Sequence, residues 1–565
     1  MGKKLSLHIS KLIKAFDQDG FTVDQDSDVI EHDGNIGVRA THKTAVIGRT
    51  RKKKRAFYIE GDPHTSGYLM GKLAEPEIER MCTEFNDNIV FDFVNLKIKD
   101  PVVKKVIGDI LEDIVYLMSK RIFHDVPPQY NEEIEGMLDG CQEVHKNTKV
   151  DRESLWVLNV GFDALLSFIY TGIFPHKKIY PIKIESKHLR VPIMCNGFAA
   201  FGIDPQTNAN YHYLGRDFMF PTADVFQDTA AMIIRNPNDG LPTVSVAAPG
   251  MVGTIAGMNK NGVGVGLDML PGSNCDPVRP GFNSLLLTRH CIQLGTDCDK
   301  ASEIIVNAQR GVSWAYVLAD GTNDKSCIVE AGATDDNLNF LSYADDWVVK
   351  ALKKVDPRIE DLLKTPAVPL RRGAMVRWND YQYPGTYQLF NQALVSGYKR
   401  KHPKYTYRYN PDDFSEKGYL DKLWTEKNCP GPFYFPPQRE GLTNMILVTN
   451  HQIIPEMRLC AMNDWIATIA AGNLNDLQWR YDELNKQMLA ALTKGYIIYQ
   501  EAKNAIDFLA PDKNFPDYYN KNRKPLNQVQ IRGSVSLMDL KKKTIETHYG
   551  YYSDEWIKIT LNNYL

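Results

Sequence analysis

Cysteine is scarce in this chain and badly spaced for a structural role. There are nine in 565 residues, an odd number with no C-x-x-C pair. That spacing excludes a disulfide scaffold and a zinc ribbon, and it leaves at least one thiol unpaired in any monomer. An excess of one charge is also missing. Lys and Arg total 67 against 69 Asp and Glu, a net charge of -2, so the basic footprint of a nucleic-acid binder is absent. No apolar run approaches the 18 or so residues of a membrane span. The opening MGKKLSLHISKLIKAF lacks the apolar core of a secretory signal, which favours a cytoplasmic location and leaves secretion open if a leader has been removed. Gly2 and Ser6 do fit the short myristoylation pattern M-G-x-x-x-[ST]. His64, His212 and His290 have no metal-ligand spacing, so no metal is expected. Gly262, Gly264 and Gly266 form G-x-G-x-G, but neither G-x-G-x-x-G nor G-K-[ST] follows. They read as glycines of a close-packed strand, and no nucleotide or other cofactor is expected.

What is present is ordinary globular material, with 43% apolar and 24% charged residues. Residues 1–50 are polar and mixed and read as an extension. The basic run Arg49 to Arg55 reads as a solvated loop or hairpin tip. Residues 53–60 suggest a short strand, ended by the turn signal Gly61-Asp62-Pro63. Helical periodicity follows over 66–81, 101–123, 130–145 and 155–173. From about 191 to 270 the chain changes to short apolar runs broken by Gly, Asn and Pro, the pattern of strands and turns. Helix returns over 282–309. Two strands, 314–320 and 326–332, are joined by a Gly-Thr-Asn-Asp turn. Residues 345–440, rich in Tyr, Pro, Lys and Arg, read as an insertion. A helical stretch over 478–509 and paired strands over 530–562 close the chain. This order predicts an α/β or α+β fold with sheets covered by helices, and of the two α+β is the expectation.

The chemistry concentrates in Met194 to Phe220, MCNGFAAFGIDPQTNANYHYLGRDFMF. A thiol is a strong nucleophile only as thiolate, and needs a base or a positive field beside it. If the peptide bond between Met194 and Cys195 is cut, the new α-amine, with an ordinary pKa near 8, supplies that base on the same residue. Arg216 would stabilise the thiolate. Asp217 could orient the amine through a charge-assisted hydrogen bond. Read alone, a Cys beside Asn and Gly also describes a buried structural thiol.

A series of segments, in order, resembles the peptidase C45 family of N-terminal-nucleophile (Ntn) hydrolases, the group of acyl-coenzyme A:6-aminopenicillanic acid acyltransferase. They are Glu60 to Gly71, Pro128 to Gly140, Leu158 to Leu166, Cys195 with Gly215-Arg216-Asp217, Ala256 to Val265, Val448 to His451 and Gly533 to Ser536. The resemblance implies a four-layer αββα sandwich and autoproteolysis before Cys195. It implies a smaller fragment, 1–194, holding the extension and a helical pro-segment, and a catalytic region, 195–565, carrying the insertion. The implied activity is hydrolysis or transfer of acyl groups on N-acyl amides through a thioester, with a small-molecule amide as substrate, an acyl-acceptor amine as a second partner, and self-association left open. It assigns Cys195 as nucleophile, Asn450 as oxyanion donor, and Asp268, Arg480 and Asn259 to substrate binding. His451 reads as packing or a supporting hydrogen bond. The family pattern G-[RQ]-N-x-D is broken here. Asp217 stands at the asparagine position and Met219 at the acid, which weakens the expectation of processing. Two alternatives follow: a degraded member with a binding or structural role, and a lipid-amide hydrolase of ceramidase or phospholipase B-like type.

Overall fold

The computed structural model describes residues 2–48, 50–86, 112–120, 123–173, 194–219, 225–344, 346–382, 389, 400, 442–461, 474–507, 530–551 and 554–565. The fold is α+β. The strands are β1 (Phe21–Thr22), β2 (Val29–His32), β3 (Asn35–Val46), β4 (Lys53–Gly61), β5 (Met194–Asp204) and β6 (Ala209–Met219). They continue with β7 (Ala231–Pro237), β8 (Thr243–Ala247), β9 (Ala256–Asn259), β10 (Val263–Met269), β11 (Trp314–Asp320) and β12 (Lys325–Ala331). The last are β13 (Ala374–Trp378), β14 (Met445–Thr449), β15 (Gln530–Asp539), β16 (Thr544–Tyr551) and β17 (Ile557–Thr560). Among the described residues they form two sheets. The larger has 11 strands in the order β1-β3-β4-β7-β8-β9-β10-β11-β12-β13, with β2 on β3; the smaller runs β14-β5-β6-β15-β16-β17.

Every residue of β10 and β11 is buried, which is why those segments read as apolar runs without alternation. The helices Ser284–Leu294 and Cys298–Asn307 pack on β9 to β12. Pro63–Arg80 packs on β3 and β4, Leu474–Leu492 on β14, and Tyr499–Ile506 on β6 and β15. The single helix expected over 282–309 is two, divided at Gly295, whose extended backbone ends the first. The hairpin β5–β6 sorts its side chains by parity. Cys195, Ala199, Leu214 and Phe218 join the core shared with the large sheet. Phe198, Ala200, Tyr211 and Tyr213 pack with the two C-terminal helices.

Three expectations are incomplete for one physical reason, contacts distant in sequence. The polar stretch 1–50 is not a loose extension. It forms the helix Gly2–Gln18 and strands β1 to β3, which pair into the large sheet. The basic run does span the tip of the β3–β4 hairpin, closed by Val46 opposite Lys53, but it is not all solvated. Lys54 and Arg55 lie inside β4, buried; Lys54 Nζ donates to the Glu555 carbonyl at 2.9 Å, and Arg55 pairs with Glu77. The expected insertion at 345–440 contributes β13, which completes the sheet against β12; the rest of it from 401 to 440, and most of the 101–123 helix, lie outside the described residues.

The helix Pro63–Arg80 starts where sequence chemistry puts it. Asp62 caps it by accepting from Thr65 N at 2.8 Å, with Pro63 in the first turn. It then packs very closely on the helix Pro128–Val144 along a seam of glycines. A Cβ at Gly136 would run into the His64 carbonyl, and one at Gly140 into the Tyr68 carbonyl. Neither obstacle can rotate away. Gly136→Ala is therefore expected to lower stability by at least about 1–3 kcal/mol, although alanine favours an exposed helix. An unchanged or raised urea midpoint would contradict this packing.

Candidate functional site

The site is assembled where three strands of the small sheet meet the end of β10. In the β5–β6 register Cys195 lies opposite Phe218, and Gly197 opposite Arg216. On the other flank Thr449 lies opposite Asn196, which sets Asn450 beside Cys195. The Cys195 backbone nitrogen donates to Asn450 Oδ1 at 2.7 Å, and Asn450 Nδ2 donates to the Met269 carbonyl at 2.9 Å. One amide thus ties the cysteine to the facing sheet. Cys195 is fully buried, as are Arg216, Asp268 and Asn450.

Arg216 crosses between the sheets. Its Nη2 meets Asp268 Oδ1 at 2.8 Å, and its Nη1 donates to the Asn196 carbonyl at 3.1 Å, one residue from Cys195. The guanidinium also lies 5.3 Å from the Phe218 ring centre, a cation–π distance. Space for it comes from Gly266, where a Cβ would stand 2.6 Å from Arg216 Cδ. Gly264 and Gly266 lie in the close-packed strand β10, whereas Gly262 stands in the turn before it at φ +81°; Gly266 houses this arginine.

Asp217 is placed differently from expectation. It pairs with Asn196, not Cys195, and its Oδ2 accepts from Asn196 Nδ2 at 3.3 Å. Strand alternation turns it to the face covered by helices, opposite to Cys195 and Arg216. His451 bonds Thr449 at 2.6 Å and meets Tyr481 edge-on at 5.7 Å. It serves as packing with a supporting hydrogen bond.

Asn259 does not reach this site through its amide. Its Oδ1 accepts from Asn261 N and Val263 N at 3.0 and 3.1 Å, and its Nδ2 donates to the Ile292 and Gly295 carbonyls at 2.9 and 2.8 Å. Those four bonds use the capacity of the side chain to hold the β9–β10 turn, so the substrate-binding expectation is replaced by a structural one. Arg480 falls within the helix Leu474–Leu492, and its side chain, like that of Met194, lies outside the described residues.

Two features were missed in the sequence. The first is Tyr170, buried in the helix Phe162–Ile173 that the periodicity over 155–173 predicted. Burial, then the nearby Cys275, Asp163 and Cys195, hold the Tyr170 hydroxyl well above its ordinary range. The signal was a single acid in the apolar run FDALLSFIY. The second is a small, open-mouthed apolar cavity. Phe85, Val115, Val157, Leu158, Phe162 and Phe218 line it. Phe218 is shared between this cavity and the Cys195 position. Two of its walls are π-helical turns, Met81–Phe85 and Val157–Gly161, a wide-turn geometry frequent at functional sites that no residue pattern announces. Among the described residues, no helix is long and apolar enough to cross a membrane.

No protein-family model matches the chain. A curated protein of Archaeoglobus fulgidus, described only as uncharacterized, is 26% identical over 510 residues, and the match covers 89% of this chain and 65% of that protein's length. Similar solved structures include a mutant conjugated bile acid hydrolase from Clostridium perfringens, at TM-score 0.30 and 11% identity, over 65% of this chain and 92% of that one. Another is an N-acylethanolamine-hydrolyzing acid amidase ortholog from Caenorhabditis elegans, at TM-score 0.29 and 8% identity, over 61% and 93%.

Asp163 allows a test of the site's electrostatics. Ser284 N and Oγ both donate to its carboxylate at 2.7 Å, yet burial outweighs them and pushes the carboxyl up to about 7. Between about pH 4 and about 7 the folded state holds a proton that the unfolded chain has released. Asp163 therefore contributes stability at acid pH that is lost as pH rises through about 7. Asp163→Asn is expected to remove a fall on the order of a few kcal/mol in the unfolding free energy obtained from urea titrations between pH 5 and 8. A fall of the same size in the variant would rule the assignment out.

Proposed function

We propose that this chain is an autoproteolytically activated cysteine Ntn hydrolase or acyltransferase of the four-layer αββα type, acting on N-acyl amides. The observation that carries the reading is the nitrogen of residue 195 held at 2.7 Å by Asn450 Oδ1, on the same strand face as the Arg216–Asp268 pair. In the first step Cys195 Sγ adds to the Met194 carbonyl. The peptide nitrogen leaves as the amine of residue 195, taking the thiol proton. Water then hydrolyses the thioester, leaving the 1–194 fragment with a new carboxylate and still paired to the larger fragment through β4 and β7.

The freed amine is the general base for the second reaction. It accepts the thiol proton as Sγ attacks the substrate amide, then donates it to the departing amine. Water or a second amine resolves the thioester. Asn450 Nδ2 is the proposed donor to the oxyanion. Arg216 supplies the positive field that favours thiolate. Asp268, on the correct face, takes the place first considered for Asp217 as the acid beside the reacting groups. Arg480 is proposed to bind a carboxylate on the substrate. The apolar cavity against Phe218 supports an apolar acyl group, and favours the lipid-amide form of this activity.

Cys195→Ala is expected to remain one chain and to be inactive, while wild type gives two fragments, the larger beginning with Cys195, by intact mass and N-terminal sequencing. A wild-type chain that stays whole and releases no amine from N-acyl amides would leave the degraded, binding-only reading. Asn450→Ala is expected to lower kcat by about 10²–10³. Amide hydrolysis at an undiminished rate would remove Asn450 from the mechanism.

A further inference from the structure

A second cluster of ligating side chains lies away from the cysteine, at the far end of the glycine seam. Glu75 and Glu79 stand four residues apart on the helix Pro63–Arg80, so both face the same side. His145 closes the partner helix Pro128–Val144 as its C-terminal cap. One ligand atom from each of the three lies within 4.8 Å of the others.

Glu75 is the telling member. Its side chain is only 7% exposed, and its buried Oε1 accepts no hydrogen bond. The nearest cationic candidate is His145 Nδ1 at 3.9 Å, too long for a hydrogen bond. A buried carboxylate oxygen in this state is costly unless something positive meets it. Glu79 is already oriented for such a role. Its Oε2 accepts from Thr148 Oγ1 at 3.2 Å and Lys149 N at 3.1 Å. That leaves Oε1 available to a ligand, with the exposed Lys149 Nζ 3.9 Å from it. His145 is 59% exposed, so an ion has an entry path and the ring has freedom to turn.

We propose that Glu75, Glu79 and His145 form a divalent-cation site that clamps the two helices together. Two carboxylates and one imidazole suit Zn²⁺, Co²⁺ or Mn²⁺ better than Ca²⁺, with water completing the shell. Ligand atoms around tetrahedral zinc stand roughly 3.4 Å apart. The exposed imidazole and the half-buried Glu79 can close the remaining distance by side-chain rotation. The hydrogen bonds from Thr148 and Lys149 are the outer contacts that fix a ligating carboxylate. The bound ion would give Glu75 the partner it lacks and would tie the end of one helix to the last turn of the other.

The test uses the full chain, freed of metal by chelator and then cleared of the chelator. Zn²⁺ and Co²⁺ are titrated by calorimetry, with cobalt absorption and thermal unfolding as second and third readouts. One saturable equivalent is expected, accompanied by a rise in Tm. His145→Asn and Glu75→Gln should each weaken that binding by at least about tenfold. His64→Asn, an exposed control paired with Asp139, should leave it unchanged. Because His145 is exposed, His145→Asn keeps the test valid even if Glu75→Gln misfolds. Absence of saturable binding overturns the proposal, as does binding that survives both variants. The readout is metal binding alone, so it stands or falls separately from any amidase activity.

Discussion

Arg216 and Asp268 are the constraint on which the rest of the site depends. A charged pair this deeply buried loses its hydration, and the attraction between the partners does not by itself guarantee net stability. Here the geometry limits the loss. The guanidinium also donates to the Asn196 carbonyl, lies against the Phe218 ring and occupies space that Gly266 leaves open. The pair joins β6 of the small sheet to β10 of the large one, so it fixes the sheets' separation at the point where Cys195 sits. Asn450 does the same from the other flank, binding Cys195 and the Met269 carbonyl with the two ends of one amide. The cysteine is therefore positioned by two cross-sheet links and not by its own loop.

Much of this was legible in the sequence. Hairpins and turns were visible over 191–270, 314–332 and 530–562 because Gly, Asn and Pro punctuate short apolar runs there. Cys195, Arg216, Asp268 and Asn450 were each named from the sequence, and the structure brings them together. The facing of Asp217 was not legible. Both sides of β6 are buried, so hydrophobicity does not mark which side is which, and parity had to be counted from the Cys195–Phe218 register. Asn259 was misread because an asparagine at a turn and an asparagine in a site look alike until its four backbone partners are known. The burial of Lys54 and Arg55 depended on Glu555 and Glu77, which no local window contains.

The cavity beside Phe218 shows a different limit. Its walls come from residues near 85, 115, 157 and 218, and two of them rest on wide helical turns. Local propensity does not encode a π-helical turn; it arises where packing on the sheet favours an extra residue in the turn. The same helical layer is drawn tight a few residues earlier by the glycine seam. Close packing at one end and widened turns at the other leave room for an apolar group without breaking the layer.

The pairing of β4 with β7 has a consequence of its own. These strands run parallel from Arg55↔Ala231 to Gly61↔Pro237, and they come from opposite sides of residue 195. A chain severed there would hold together as a nicked body, its halves stitched through the middle of a sheet. Once melted, the two pieces would have to find each other by diffusion. Recovery would then depend on concentration, so the fold is easiest to reach while the polypeptide is still continuous.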